Sequence, residues 1–95
     1  MINLNIKHGL LLDSLADDGE SIVQIEHYFI TENEIITLDE LKQLIIELVT
    51  LKYMFIAYPE EATMDDLVAS YDDNFDGFWF EQTKEGRAYW QKIVL

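Results

Sequence analysis

The sequence has no cysteine, one proline and four glycines among its 95 residues. Without cysteine, the chain can form no disulfide framework, no thiolate zinc site and no cysteine nucleophile. The glycines are scattered singly, and the motifs G-x-S-x-G and H-E-x-x-H are missing, as is a Gly-rich phosphate loop. We therefore expect no cofactor and no catalytic residue, and a function other than catalysis.

Long apolar runs are also missing. The longest, 53–58, has six residues, whereas roughly 20 are needed to cross a bilayer. The start of the chain, Met1 to Asn5, has no basic segment followed by an apolar stretch and a cleavage site, as a signal peptide has. The sequence predicts a cytoplasmic protein with no membrane partner.

Basic residues are scarce. Six Lys and Arg stand against 19 Asp and Glu, which gives a formal net charge of -13 and a pI near 4.1. Such a surface repels phosphate backbones and anionic lipids, and so disfavours direct nucleic-acid binding. The chain is nevertheless 49% hydrophobic and 13% aromatic, far from the composition of a disordered protein. We expect one folded domain over 1–95.

Three helices are predicted in the first half of the chain, at roughly 6–17, 22–30 and 38–52. The second and third begin at pairs with capping-box spacing, Ser21 with Gln24 and Thr37 with Glu40. The third also carries an apolar stripe of helical period: Leu41, Leu44, Ile45, Leu48 and Leu51. Residues 22–30 are rich in β-branched and aromatic side chains, so a strand is an open alternative there.

The second half predicts two strands and two helices. Residues 53–58 are typical of a strand that stops at Pro59. A turn is predicted at 72–77, and residues 78–80 after it are typical of a second strand. Thr63 can cap a short helix through Val68, and Thr83 can cap a final helix. The fold class is therefore α+β.

This order of elements resembles that of a winged-helix domain. LKQLIIELVTLKYM (41–54) resembles the segment in which the third helix of that family leads into the wing, although Lys52 stands where glycine is common. FEQTKEGRAYW (80–90) resembles the exit from the wing into the last helix. The resemblance implies three N-terminal helices, a two-stranded antiparallel wing with an acidic, partly helical connection, and a C-terminal helix.

The charge departs from that family's usual DNA-binding pattern. A third helix that reads DNA needs basic or amide side chains on its exposed face, but here the positions off the apolar stripe sum to a net negative charge. The connection between the strands has seven acids and no base: Glu60, Glu61, Asp65, Asp66, Asp72, Asp73 and Asp76. The resemblance therefore suggests the fold and not the usual ligand.

Residues 72–77, DDNFDG, match the first half of an EF-hand calcium loop, which makes Asp72, Asn74 and Asp76 candidate ligands. The second half does not match, because Thr83 stands where a bidentate Glu is needed. His8 and His27, the only histidines, do not have metal-ligand spacing. A solvated acidic turn accounts for the motif better than a metal site does.

Aromatic residues are concentrated in the last 45 residues. Because successive strand residues point to opposite faces, at least one ring of Phe78, Trp79 and Phe80 should face outward. An aromatic anchor surrounded by acids is typical of a protein-binding surface. The candidate partner-binding residues are Asp65, Asp66, Tyr71, Asp72, Asp73, Asp76 and Trp79.

The favoured hypothesis is a small acidic module that binds a basic protein, such as a nuclease or another nucleic-acid-binding protein. In size and charge it resembles bacterial toxin-immunity proteins and, more loosely, DNA-mimicking inhibitors. A first alternative is a winged-helix regulator that acts through dimerisation or protein contacts and touches DNA only through its few bases, Lys42, Lys84, Arg87 and Lys92. A second is a calcium-binding module. The sequence leaves a homodimer open.

Overall fold

The computed structural model describes residues 4–94, and the side chains of 4–93. Two predictions therefore involve residues outside that range: the single domain 1–95, and the absence of a signal peptide at Met1 to Asn5. In chain order the elements are α1 Ile6–Ser14, β1 Glu20–Ser21, α2 Ile22–Thr31, α3 Leu38–Thr50, β2 Met54–Tyr58, α4 Met64–Ala69, β3 Trp79–Gln82 and α5 Lys84–Val94. A 3₁₀ turn at Phe75–Gly77 precedes β3. The predicted α+β class is confirmed.

The described residues form one antiparallel sheet with the strand order β1-β3-β2. The register pairs Phe55 with Glu81 and Ile56 with Phe80, and it becomes irregular before Tyr58 pairs with Trp79. The predicted two-stranded sheet is thus incomplete, because β1 adds a third strand beside β3. Two residues are too few to leave an alternating pattern in the sequence, and Ser21 also precedes the first turn of α2.

The helices differ from the prediction mainly at their ends. Residues 22–30 are helical and not a strand. Helix α1 ends at Ser14 and not at residue 17, because Leu15 and Ala16 donate to carbonyls three residues back and form a turn. Helix α3 ends at Thr50, since Lys52 takes a left-handed conformation with φ of 63°.

The core lies between the helices and the inner face of the sheet. Phe29 of α2 and Phe80 of β3 are its largest fully buried side chains. The stripe predicted for α3 contributes four buried residues, Leu41, Leu44, Ile45 and Leu48. The other buried apolar side chains are Leu11, Leu12, Leu15, Ile22, Ile25, Met54, Leu67, Phe75 and Phe78.

Polar contacts fasten α5 to the rest of the molecule. Asp13 of α1 accepts hydrogen bonds from the Tyr28 hydroxyl and, at 2.9 Å, from Trp90 Nε1. Thr83 Oγ1 donates to the carbonyl of Lys52 and accepts from the amide of Gly86, so it caps α5 as predicted. The Trp90 contact holds α5 against α1, and the Thr83 contacts hold the start of α5 beside the residues that lead into β2.

Candidate protein-binding surface

The connection between β2 and β3 carries the acidic surface. All seven of its carboxylates, Glu60, Glu61, Asp65, Asp66, Asp72, Asp73 and Asp76, belong to exposed residues. The ion pairs within residues 4–94 lie elsewhere, between Lys7 and Glu40 and between His8 and Glu47. None of the seven acids therefore forms an ion pair with a base in the described part of the chain.

One of these acids has a structural role. The amide of Thr63 donates to Asp66 Oδ2 at 2.8 Å, and Asp66 N donates to Thr63 Oγ1 at 3.2 Å, which closes a capping box at the start of α4. Asp65 is next to it in the first turn and makes no hydrogen bond of this kind. Neutralising Asp65 would therefore change the charge of the surface without removing the cap.

Asp72, Asp73 and Asp76 line a groove together with residues of α2 and α3, which include Glu26 and the base Lys42. Val23 and Leu38 contribute apolar surface to this groove and are 58% and 47% exposed. A long basic side chain of a partner could lay its aliphatic part on such a surface and its charge beside the carboxylates.

Tyr71 makes several contacts within the molecule. Its hydroxyl donates to the Asp39 carboxylate, and this hydrogen bond raises the pKa of Tyr71. Its ring packs edge-on against Phe75, and the ammonium of Lys42 lies 5.0 Å from the ring centre. Lys42 also donates to the carbonyl of Tyr71. These contacts leave Tyr71 little freedom to enter a partner.

Trp79 faces outward, as the predicted alternation requires. It is 39% exposed, whereas Phe78 and Phe80 on either side are buried. The sheet register places Tyr58 and Phe55 on the same outer face, and they are 62% and 43% exposed. Sequence reasoning missed these two as surface residues, because 53–58 is apolar throughout and shows no alternation. The register shift before Tyr58 also turns that residue to the outer face, which a strict period of two would not predict.

The residues predicted for a calcium loop do not adopt an EF-hand-like backbone. Within this segment Asn74 has a positive φ of 67°, whereas no glycine in the described chain, Gly77 included, has a positive φ. The next three residues form the 3₁₀ turn, whose Phe75 is buried in the core. Across residues 4–94, no group of three or more His, Cys, Asp or Glu side chains could hold a metal ion. Calcium binding stays a prediction.

Two of the bases assigned to the DNA-contacting alternative are engaged in the fold. Lys42 binds the Tyr71 carbonyl, and Arg87 Nη2 donates to the carbonyl of Ala16 at 2.7 Å. Lys84 and Lys92 on α5 are exposed. The exposed residues of α3 include Asp39, Gln43 and Thr50, so this helix presents no basic face.

Over the part of the chain that is described, no helix has the length and apolar character needed to span a membrane. No protein-family model, no curated protein and no solved structure matches this chain.

Proposed function

We propose that this protein is an acidic binding module that covers a basic surface of another protein, such as a nuclease or another nucleic-acid-binding protein. The observation that carries the proposal is the β2–β3 connection, whose seven carboxylates are all exposed and have no basic partner within residues 4–94. Carboxylates in such an array can take the place of nucleic-acid phosphates on a basic surface. The negative charge favours one form of this function, that of an inhibitor or immunity protein of a nuclease toxin.

The aromatic residues of the outer sheet face supply the anchor. Charge steers association and sets its rate, but buried aromatic side chains hold most complexes together. Trp79 is the proposed anchor, with Tyr58 beside it in the sheet register. Tyr71 takes a supporting part, because its hydrogen bond to Asp39 and its packing on Phe75 hold the acidic turn in place.

We also infer that the elements are arranged as in a winged helix. The helical order, a short strand before α2, the sheet order β1-β3-β2 and the C-terminal helix support this arrangement. The acidic connection then occupies the place of the wing. A wing with this charge would repel DNA, so the arrangement favours a protein partner over the regulator that touches DNA.

The test is capture from a lysate of the source organism at low and at high salt, with mass spectrometry of the retained proteins. Four immobilised proteins are compared: wild type, Trp79→Ala, an acidic-connection variant and a matched control variant. The acidic-connection variant changes Asp65, Asp72, Asp73 and Asp76 to Asn and spares the capping Asp66. The control removes the same charge outside the connection, at Asp17, Asp18, Glu32 and Glu34.

We expect wild type and the control variant to retain one basic protein at stoichiometric level, in a salt-sensitive manner. The acidic-connection variant and Trp79→Ala should lose it. Retention of nucleic acid alone, or equal losses in the two charge variants, would contradict the proposal. A gel shift of mixed duplex at low salt would then favour the DNA-contacting regulator.

A further inference from the structure

One groove on the described surface runs beside β2, which is an edge strand. Its volume is about 670 Å³. Met54 and Ile56 of β2 line it, together with Val49 at the end of α3 and Met64 at the start of α4. Because the sheet order is β1-β3-β2, β2 has a strand on one side only.

The sheet leaves some backbone hydrogen-bonding groups of β2 without a partner on β3. Thr83 N donates to the carbonyl of Tyr53, so Tyr53 and Thr83 are a hydrogen-bonded pair of the antiparallel ladder. Such pairs alternate along the strands. Phe55 and Glu81 are therefore the next bonded pair, and the N–H and C=O groups of Met54 and Ile56 point away from β3. An extended chain laid in the groove could pair with these groups.

The charge around the groove selects the kind of chain that fits. Glu60 and Glu61 follow β2 at its end, and Asp65 is next to the lining residue Met64. Glu85 and Lys52 lie in the lining itself. Acids thus outnumber bases four to one, around a lining that is mostly apolar.

We propose that a basic partner docks by adding an extended segment, with alternating apolar and basic side chains, to the free edge of β2. Its apolar side chains pack on Val49, Ile56 and Met64, and its basic side chains face the acids that surround the groove. This inference rests on the proposed function for the charge of the partner. A second copy of this chain fits less well, because it would bring the same excess of acids to the groove that the basic segment is proposed to neutralise.

The test uses a synthetic peptide of alternating Lys and Val and a matching peptide of alternating Glu and Val. We expect wild type to bind the Lys peptide and not the Glu peptide. The bound Lys peptide should protect the amide protons of Met54 and Ile56 from hydrogen exchange. Two further Lys peptides carry N-methyl groups on all Val amides or on all Lys amides. They have the same composition and charge, but only one of them keeps the hydrogen bonds to β2, so their affinities should differ by roughly tenfold or more, as expected for one or two lost hydrogen bonds.

A matched pair of variants tests the same edge from the protein side. Ile56→Pro removes an N–H that points to the groove, and an edge strand tolerates such a proline. Ile56→Ala keeps the N–H while shortening the side chain. We expect the proline variant to lose Lys-peptide binding by about tenfold relative to the alanine variant.

Equal affinities of the two methylated peptides, binding of the Glu peptide, no binding of the Lys peptide or protection confined to Trp79 would each overturn strand addition. Self-association of wild type that Ile56→Pro abolishes would also overturn it, in favour of a second copy. These failures are separable from failure of the proposed function: if Ile56→Pro still captures the basic protein from the lysate, the function stands and only the docking mode is wrong.

Discussion

Gly86 shows how one residue sets the position of a helix. A Cβ built on it would lie 1.8 Å from the carbonyl oxygen of Tyr53, a backbone atom that cannot move away cheaply. The close approach lets Tyr89 stack on Tyr53, with ring centres 5.1 Å apart. Glycine is needed here for space and not for an unusual φ angle, since no described glycine has a positive φ.

Gly86→Ala should destabilise the fold by about 3 kcal/mol, because α5 must shift off the Tyr53 carbonyl. Urea denaturation followed by circular dichroism measures the loss. Gly77→Ala is the control, since a Cβ there meets nothing within 4 Å. Its free energy of unfolding should stay within about 0.5 kcal/mol of wild type, and equal losses in both variants would refute the steric explanation.

Tyr28 should make stability depend on pH in the alkaline range. Burial, with the hydrogen bond to Asp13 as a further cause, raises the pKa of Tyr28 well above its ordinary value of 10.0. The folded state therefore favours the neutral phenol. Its contribution is fully present below the ordinary pKa, and it is lost as pH rises from there toward the raised pKa of the folded state.

We expect Tyr28→Phe to cost about 1–2 kcal/mol of unfolding free energy at neutral pH, because Asp13 loses a donor. The difference between wild type and variant should shrink as pH rises above 10.0. Urea denaturation of both proteins across that range measures it, and subtraction removes the effect of the other tyrosines. A difference that stays constant with pH would contradict the raised pKa.

Helix α3 ends in a left-handed conformation that suits its residue, Lys52, poorly. Lys52 has a φ of 63°, and the amides of Lys52 and Tyr53 donate to the carbonyls of Val49 and Leu48. This is the Schellman arrangement, which glycine occupies at least cost. The strain comes from the side chain's Cβ and not from the charge.

Lys52→Gly should stabilise the protein by about 1 kcal/mol, since glycine adopts the left-handed conformation without that strain. Lys52→Ala, which removes the charge but keeps a Cβ, should show no such gain. Thermal and urea unfolding of the two variants measure the difference. A gain of the same size in both would point to the charge instead.

The sequence predicted elements where a periodic pattern or a cap marks them. The stripe of α3, the Thr63 and Thr83 caps and the outward Trp79 are all present. It did not predict β1, which is too short to carry a pattern and exists because β3 offers it an edge. Nor could it predict that Lys42 and Tyr71 bind each other from positions 29 residues apart, since such contacts depend on tertiary packing.

The whole molecule carries an excess of negative charge, which opposes compaction. Its net charge of -13 should make stability rise with salt as the repulsion between carboxylates is screened. We expect the melting temperature to increase with NaCl, and to increase less in the variant that neutralises Asp65, Asp72, Asp73 and Asp76. Scanning calorimetry at several salt concentrations measures both. A melting temperature independent of salt would contradict this view of the charge.

The same experiment separates screening from specific calcium binding. At matched ionic strength, CaCl₂ should raise the melting temperature no more than NaCl does, if the acidic turn is only solvated. A larger rise with calcium that disappears in Asp72→Asn would support the calcium-binding alternative.

A binding role for the acidic connection is tested by the association rate constant with the captured basic partner, measured by stopped flow as a function of ionic strength. For wild type and for the control variant at Asp17, Asp18, Glu32 and Glu34, we expect a rate constant that falls steeply as salt rises. For the variant at Asp65, Asp72, Asp73 and Asp76, we expect slow association at low salt and a rate constant that depends less on salt. Equal salt dependence in the two charge variants would contradict a binding role for the acidic connection.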